Sequence, residues 1–309
     1  MYNKFKKVYA LFKQFGLAFT IKYCIYRLSK NDKKYLALLC EYLQKFLEPT
    51  INKYKSLNFS VNNTEKNGRT PIWVCWFQGE ENMPELCQVC YNQLKKVLPE
   101  CSELHLITLA NYEQYVEKVE RGIITYTHFS DILRWALLEK WGGLWIDSTV
   151  FCSKDISNEF LLKPEFWSVK LNEIYDTACF GQVVSNCQWS GFLLKSQPNS
   201  ILVRFVLEST LLYWEKHNII IDYFIENLII KIAYENINSI KEIIDNIIPN
   251  NDKIYNLHNL MDKKFDNEIY CGLIKNTTFF KLTWKKKYSK NTDKGDSTFY
   301  GYMLKKIAE

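Results

Sequence analysis

The stretch SDILRWALLEKWGGLWIDST, residues 130–149, decides how this chain is read. Ser130 carries the short hydroxyl side chain that caps a helix start, and Gly142–Gly143 is a helix stop. Between them DILRWALLEKW makes about three turns, roughly 16 Å at 1.5 Å per residue. LWID then returns as a buried strand of comparable reach. Asp131 and Arg134, three apart, share one face of the first helical turn. An antiparallel return sets that turn beside the carboxyl end of the strand, where Asp147 stands. Three charged side chains therefore meet at the sheet edge where open α/β folds hold ligands. A plainer account fits the same spacing: Asp131 complements the helix dipole, Arg134 pairs with it, and Asp147 opens a turn with Ser148 and Thr149.

Working outward, PIWVCWF (71–77) is a continuous apolar run closed by QGEENMP, a buried strand and its loop. ELCQVCYNQLKKVL (85–98) reads as an amphipathic helix with Leu86, Val89, Cys90, Leu94 and Val97 inward. ELHLITL (103–109) reads as a strand that ends in a polar turn at Ala110–Asn111. Strand, helix, strand opens a doubly wound sheet, so the fold class is α/β. FWSV (166–169) and ACFGQVV (178–184) are plausible further strands. NSILVRFVLESTLLYWEKH (199–217) and IDYFIENLIIKIAYEN (221–236) are helical patterns, which place a helical insertion near 199–248. In FFKLTW (279–284) Phe280, Leu282 and Trp284 face one way, Lys281 and Thr283 the other. Residues 31–70 form a helical lead-in, YLALLCEYLQKFLEP, and a polar connector, NNTEKNGRT. The division expected is 1–70 as a basic, amphipathic lead-in and 71–309 as one catalytic-type domain.

The bulk numbers are those of a globular protein: 309 residues, 47% hydrophobic and 24% charged, with 11 Gly and 7 Pro. The ten cysteines show no spaced framework, and free thiols of a reducing compartment are the simpler reading. Cys87, Cys90, Cys101 and His105 can be written as a zinc pattern, but their helix and strand periodicity favours core positions. Net charge is +6, and residues 1–30 hold Lys4, Lys6, Lys7, Lys13, Lys22, Arg27 and Lys30 without one acid. That segment lacks the roughly 20 uninterrupted apolar residues of a spanning helix. It reads as a basic amphipathic helix for an anionic membrane surface, or as a helix packed on the domain with its lysines in water. Its removal is expected to release the protein from membranes and leave ligand binding intact. No other segment is notably basic, so nucleic acid is not an expected partner.

The motifs SDILR and GGLWID resemble the donor-site signature of sugar transferases related to glycosyltransferase family 32. The closer resemblance is to the bacterial capsular polysaccharide synthesis proteins of this kind. It extends through IWVCWFQGEENMPELCQVCYNQL, HFSDILRWALLEKWGGLWIDSTV, YWEKHNIIIDYF and FFKLTWK, spread over most of residues 72–284.

The resemblance implies a GT-A fold, a Rossmann-like mixed sheet that binds a nucleotide sugar, with UDP the base carrier and retention of anomeric configuration. By similarity Trp76 stacks on the base, with core packing as a strand residue the alternative, and Gln78 and Asn111 are further donor-binding positions. Asp131 and Arg134 match the pair that orients the sugar hydroxyls through charge-assisted hydrogen bonds. Asp147 matches the first acid of the Asp-x-Asp motif, but the second acid is absent and position 149 is Thr. Two carboxylates normally hold Mn²⁺ or Mg²⁺ against the diphosphate. Here Asp155, Asp266 or Glu268 completes the metal site, or a cation replaces the ion. Lys281 is the candidate cation, with a surface edge-strand lysine as the alternative. Asp222 is the remaining catalytic candidate, or a helix N-cap; Asn186, Trp189 and Ser190 are candidates for the pocket lining. The implied activity is transfer of a sugar to a lipid-linked glycan acceptor in capsular or other surface polysaccharide synthesis. The implied place is the inner face of the cytoplasmic membrane. The alternatives are a non-catalytic scaffold that binds nucleotide sugars and a sugar-phosphate transferase.

Overall fold

The computed structural model describes residues 2–57, 68–119, 124–162, 165–172 and 179–308. Helices α1 (Tyr2–Phe15), α2 (Leu17–Leu28), α3 (Asp32–Phe46) and α4 (Glu48–Lys55) precede strand β1 (Thr70–Cys75). Then come α5 (Glu85–Val97), β2 (Ser102–Ile107), α6 (Tyr126–Trp141), β3 (Gly143–Ile146) and β4 (Val150–Cys152). Short elements α7 (Asn158–Leu162), β5 (Phe166–Ser168), α8 (Phe180–Ser185) and β6 (Leu193–Ser196) follow. The chain closes with α9 (Ile201–Lys216), α10 (Ile225–Asn236), α11 (Asn238–Asp245), α12 (Asn256–Leu260), α13 (Asn267–Ile274), β7 (Phe279–Lys281) and α14 (Phe299–Ala308).

The central sheet is mixed, as expected, with strand order β2-β1-β3-β6-β5. β1 runs parallel to β2 and β3, whereas β6 runs antiparallel to β3 and β5. The period-two pattern splits the core. Trp73, Trp145 and Leu194 face a helical layer that includes α6, α9 and α10. Ile72, Val74, Leu144, Ile146 and Leu193 face the α5 side. Trp73 and Trp145 are each about 1% exposed, and aromatic side chains of this size dominate the energetics of the core they enter. The chain passes from β1 outward to β2, then crosses back to lay β3 on the other side of β1. That reversal is a topological switch point, and it opens at the carboxyl ends of β1 and β3.

Four local expectations are corrected. Helix α6 begins four residues before Ser130; Thr125 caps it by accepting from the His128 N–H at 3.4 Å. Asp131 and Arg134 thus lie in its second and third turns, and Ser130 bonds back to the Thr127 carbonyl at 2.6 Å. Of ACFGQVV, the described residues form helix α8 in place of a strand, because Gln182 closes a reciprocal cap on the Cys179 backbone. The basic segment is two helices, since Gly16 at φ 82° breaks them. Strands β4 and β6 were not anticipated; each is only three or four residues long, too short for a period to show.

The expected lead-in is tied into the body. Leu38, Leu39, Leu43 and Leu47 of the α3 region and Ile51 and Tyr54 of α4 share one core with α9 and α10. Of the polar connector, residues 62–70, residues 62–67 lie outside the described residues. Helix α5 buries Leu86, Val89, Cys90, Leu94 and Val97, as its periodicity demands. All ten cysteines are unpaired. His105 stacks on Trp73 at 4.7 Å, and Cys87 and Cys90 are buried on the inner face of α5; the described residues hold no cluster of three His, Cys, Asp or Glu side chains fit for a metal.

Candidate active site

Position follows from the strand ends. Trp73 is in register with Trp145, so Trp76 and Asp147 leave β1 and β3 at the same edge of the sheet. Beyond β3 the chain makes a tight turn, Val150 N–H to the Asp147 carbonyl at 2.9 Å, and enters β4. Strand β7 pairs with β4, Val150 opposite Lys281. That pairing delivers Lys281 to the turn: its Nζ lies 2.6 Å from Asp147 Oδ2 and 2.9 Å from Thr149 Oγ1.

Arg134 reaches the same place from α6. One guanidinium nitrogen donates to Asp131 Oδ1 at 3.1 Å and lies 3.4 Å from Asp147 Oδ1. The other donates to Glu226 Oε2 at 2.8 Å. The indole of Trp145 donates to Asp147 Oδ1 at 2.9 Å, and Arg134 lies 5.0 Å over its ring. Trp135 donates to Glu226 Oε1 at 2.6 Å, and Asp131 Oδ2 stands 3.2 Å from His128 Nδ1. Asp131, Arg134, Asp147 and Lys281 are therefore one constellation, gathered from α6, the end of β3 and β7.

The cluster is graded in depth. Arg134 and Glu226 are 7% and 9% exposed, while Asp147 and Lys281 reach solvent over 27% and 23%. Asp147 and Lys281 therefore form the solvent-facing side of the cluster, with Arg134 and Glu226 behind them. Burial would raise the Asp147 carboxyl, but Lys281 and Arg134 outweigh it and hold that acid below the usual carboxylate range. Burial together with the nearby Asp131 pushes Glu226 the other way, above the usual range, although Arg134 pulls against it. The Arg134 Nε has no hydrogen-bond partner among the described residues, a buried donor left open beside the site.

Glu226 escaped the sequence reading. Its place one residue into α10 makes it look like a dipole complement, but it shares the buried face with Ile230 and Ala233. A lone acid on an otherwise apolar helical face was the available signal. Gly191 was missed too. A Cβ there would stand 3.1 Å from Arg134 Nη1, so glycine lets the chain pass close to the guanidinium.

The other candidates sit apart from this cluster's contacts. Asp222 accepts from the Tyr35 hydroxyl at 2.8 Å and from the Phe224 N–H at 2.9 Å, which joins α3 to the start of α10. Asn111 accepts from Thr108 N–H and donates to the Leu106 carbonyl, locking the loop after β2. Trp76 is half-buried, donates to the Asn82 carbonyl at 3.1 Å and meets Trp284 edge-on at 5.9 Å. Gln78 is exposed, and its carbonyl accepts from Asn82. Trp189 bonds Asn227, Ser190 bonds Ser168, and Asn186 is exposed at the end of α8.

A divalent ion fits this donor set poorly. Asp147 already faces Lys281, Arg134 and Trp145, and Thr149 Oγ1 accepts from Lys281. Asp266 is engaged as the cap of α13 through the Glu268 and Ile269 N–H groups.

The family described as capsular polysaccharide synthesis protein matches residues 21–303, and the chain belongs to it. No curated protein matches the chain. Among solved structures, the chain is similar to the apo form of the WbbM bifunctional glycosyltransferase, with 12% identity and a TM-score of 0.44. That alignment covers 82% of this chain and 52% of the other, so the chain spans about half the length of that protein. A second is the PaToxG glycosyltransferase, with 13% identity, a TM-score of 0.36, and 77% and 94% of the two chains covered.

Proposed function

We propose that this protein is a glycosyltransferase that uses a nucleotide sugar, and that Lys281 does at the diphosphate what a divalent ion does in two-acid sites. The observation that carries this reading is the Lys281 ammonium seated on Asp147 and Thr149, where the second acid of an Asp-x-Asp motif is missing. An ammonium at this place neutralises charge that develops on the departing nucleotide, an electrostatic contribution of several kcal/mol where water is excluded.

Asp131 and Arg134 orient the sugar, with Arg134 fixed from behind by Glu226. Trp76, with Trp284 against its edge, supplies an aromatic wall for the base at the carboxyl edge of β1. UDP-linked donors are the reading from family resemblance. Asp147 is held ionised between two cations, and the Glu226 carboxyl faces Arg134 and Trp135, which suits a reaction with retention and no strong protein base. The acceptor oxygen bonds to the anomeric carbon, the bond to the phosphate oxygen breaks, and the acceptor proton passes to that phosphate. The acceptor is a lipid-linked glycan presented at the inner face of the cytoplasmic membrane.

A thermal-shift screen of nucleotide sugars tests donor binding, since a ligand for the native state raises its stability. Donor hydrolysis in EDTA, and its loss in Asp147→Asn, tests catalysis. Turnover that vanishes in EDTA and returns with Mn²⁺ refutes the role given to Lys281. Donor binding without turnover identifies a scaffold, and product that retains phosphate identifies a sugar-phosphate transferase.

A further inference from the structure

Helices α1 and α2 form a hairpin about Gly16 whose inner side enters the core through Leu11 and Tyr23. Its outer side is apolar. Eight of the eighteen large hydrophobic side chains exposed among the described residues fall between Phe5 and Leu28. Phe5, Tyr9 and Phe12 of α1 and Leu17, Ile21 and Ile25 of α2 line a groove of about 500 Å³. Exposure reaches 70% at Phe5 and 84% at Leu28, which no packing among the described residues explains. A contiguous exposed apolar patch of this kind marks an interaction surface.

The charge around it selects the partner. Residues 5–30 hold Lys6, Lys7, Lys13, Lys22, Arg27 and Lys30 and no acid. Apolar rows bordered by basic side chains alone match a bilayer whose surface carries anionic headgroups, and neither helix is long and apolar enough to span one.

The hairpin is also wired to the site. Gln14 donates to the Lys216 carbonyl at 3.2 Å, and Phe15 stacks on His217 at 5.4 Å. The loop that begins at His217 carries Tyr223, whose ring meets His128 at 5.6 Å, and His128 contacts Asp131.

We infer that the α1–α2 hairpin seats this protein on an anionic membrane surface, with the exposed apolar rows among the acyl chains and the lysines at the headgroups, and that the loop joining His217 to Tyr223 holds the sugar site beside it. The surface proposal stands without the glycosyltransferase reading.

Truncation is a poor test, because Leu11 and Tyr23 belong to the core and their removal strips α3 and α9. The full chain is floated with phosphatidylcholine vesicles, with and without phosphatidylglycerol. Binding is expected to the anionic vesicles only, weakening by about tenfold as salt shortens the screening length. Phe5→Ser, Phe12→Ser, Ile21→Ser and Leu28→Ser combined, and separately Lys13→Glu, Lys22→Glu and Lys30→Glu combined, are each expected to abolish flotation with the melting temperature unchanged. Equal binding to neutral vesicles, no binding to either, or a dimer in sedimentation that the serine variant dissociates overturns the inference. Thermal shifts with nucleotide sugars on the same variants score the donor site separately.

Discussion

Lys281 and Asp147 are 134 positions apart in the chain, yet the ammonium of one lies 2.6 Å from the carboxylate of the other. Removing Lys281 leaves Asp147 short of its nearest cation at the spot where a diphosphate must be met. Lys281→Ala is expected to lower kcat by about 10²- to 10³-fold, the cost of one well-placed charge stabiliser. Steady-state donor hydrolysis measures it, and a change below threefold removes Lys281 from the mechanism.

The pairing of Lys281 with Thr149 makes a second prediction about metal. Thr149→Asp combined with Lys281→Ala restores two carboxylates and removes the competing ammonium, so Mn²⁺ is expected to stimulate that variant and not the wild type. Rates before and after EDTA treatment decide it.

Glu226 sets a pH dependence. Its folded-state pKa lies above that of the unfolded chain, so the folded protein binds the extra proton and stability falls as pH rises from the ordinary glutamate range through the folded value. Donor affinity falls over the same window, because each ionised Glu226 adds a negative charge near an anionic ligand. Glu226→Gln is expected to flatten both curves while costing about 1–3 kcal/mol from the imperfect replacement of its bonds to Arg134 and Trp135. Melting temperature and donor Kd against pH give the readout, and a wild-type slope of opposite sign contradicts the assignment.

Gly143 and Gly191 separate stability from function. At Gly143, φ is 95° and an added Cβ would lie 2.1 Å from the Pro71 carbonyl oxygen, so Gly143→Ala is expected to cost about 3 kcal/mol or more. At Gly191 the neighbour is the end of the Arg134 side chain at 3.1 Å. Gly191→Ala is expected to cost under about 1 kcal/mol and to reduce turnover by moving the guanidinium. Urea unfolding and kinetics on the two variants test the contrast.

Asp222 is bonded to Tyr35 and to the start of α10, so its weight falls on the fold. Tyr35→Phe and Asp222→Asn are each expected to lose about 1–2 kcal/mol, with kcat within a few-fold of wild type. A hundredfold kcat loss in a stably folded Asp222→Asn makes that carboxylate part of the catalytic machinery.

Several features were legible in the chain because they are local. The alternation of Ile72 and Val74 with Trp73 announced a strand buried on both faces, and the i, i+3, i+4 rows of α5 and α9 announced helices. Gly142–Gly143 stopped α6 where the sequence said, because both glycines hold positive φ. Short segments failed for the same reason: β6 and α8 lack the length over which a period can show, and a side-chain cap at Cys179 tipped the second into a helix.

By itself, then, the sequence determined the α/β alternation and the basic apolar start, and it put Asp131, Arg134 and Asp147 within reach of one another, each of which depends on neighbours within about twenty residues; the contacts of Arg134 with both acids are the structure's. Only the tertiary structure decided that Glu226 backs Arg134, that Lys281 rests on Asp147 and Thr149, and that Asp222 serves α3. Those contacts are set by which strand pairs with which and by how α10 packs, and pairing across 92 or 134 residues leaves no periodic trace in the order of the amino acids.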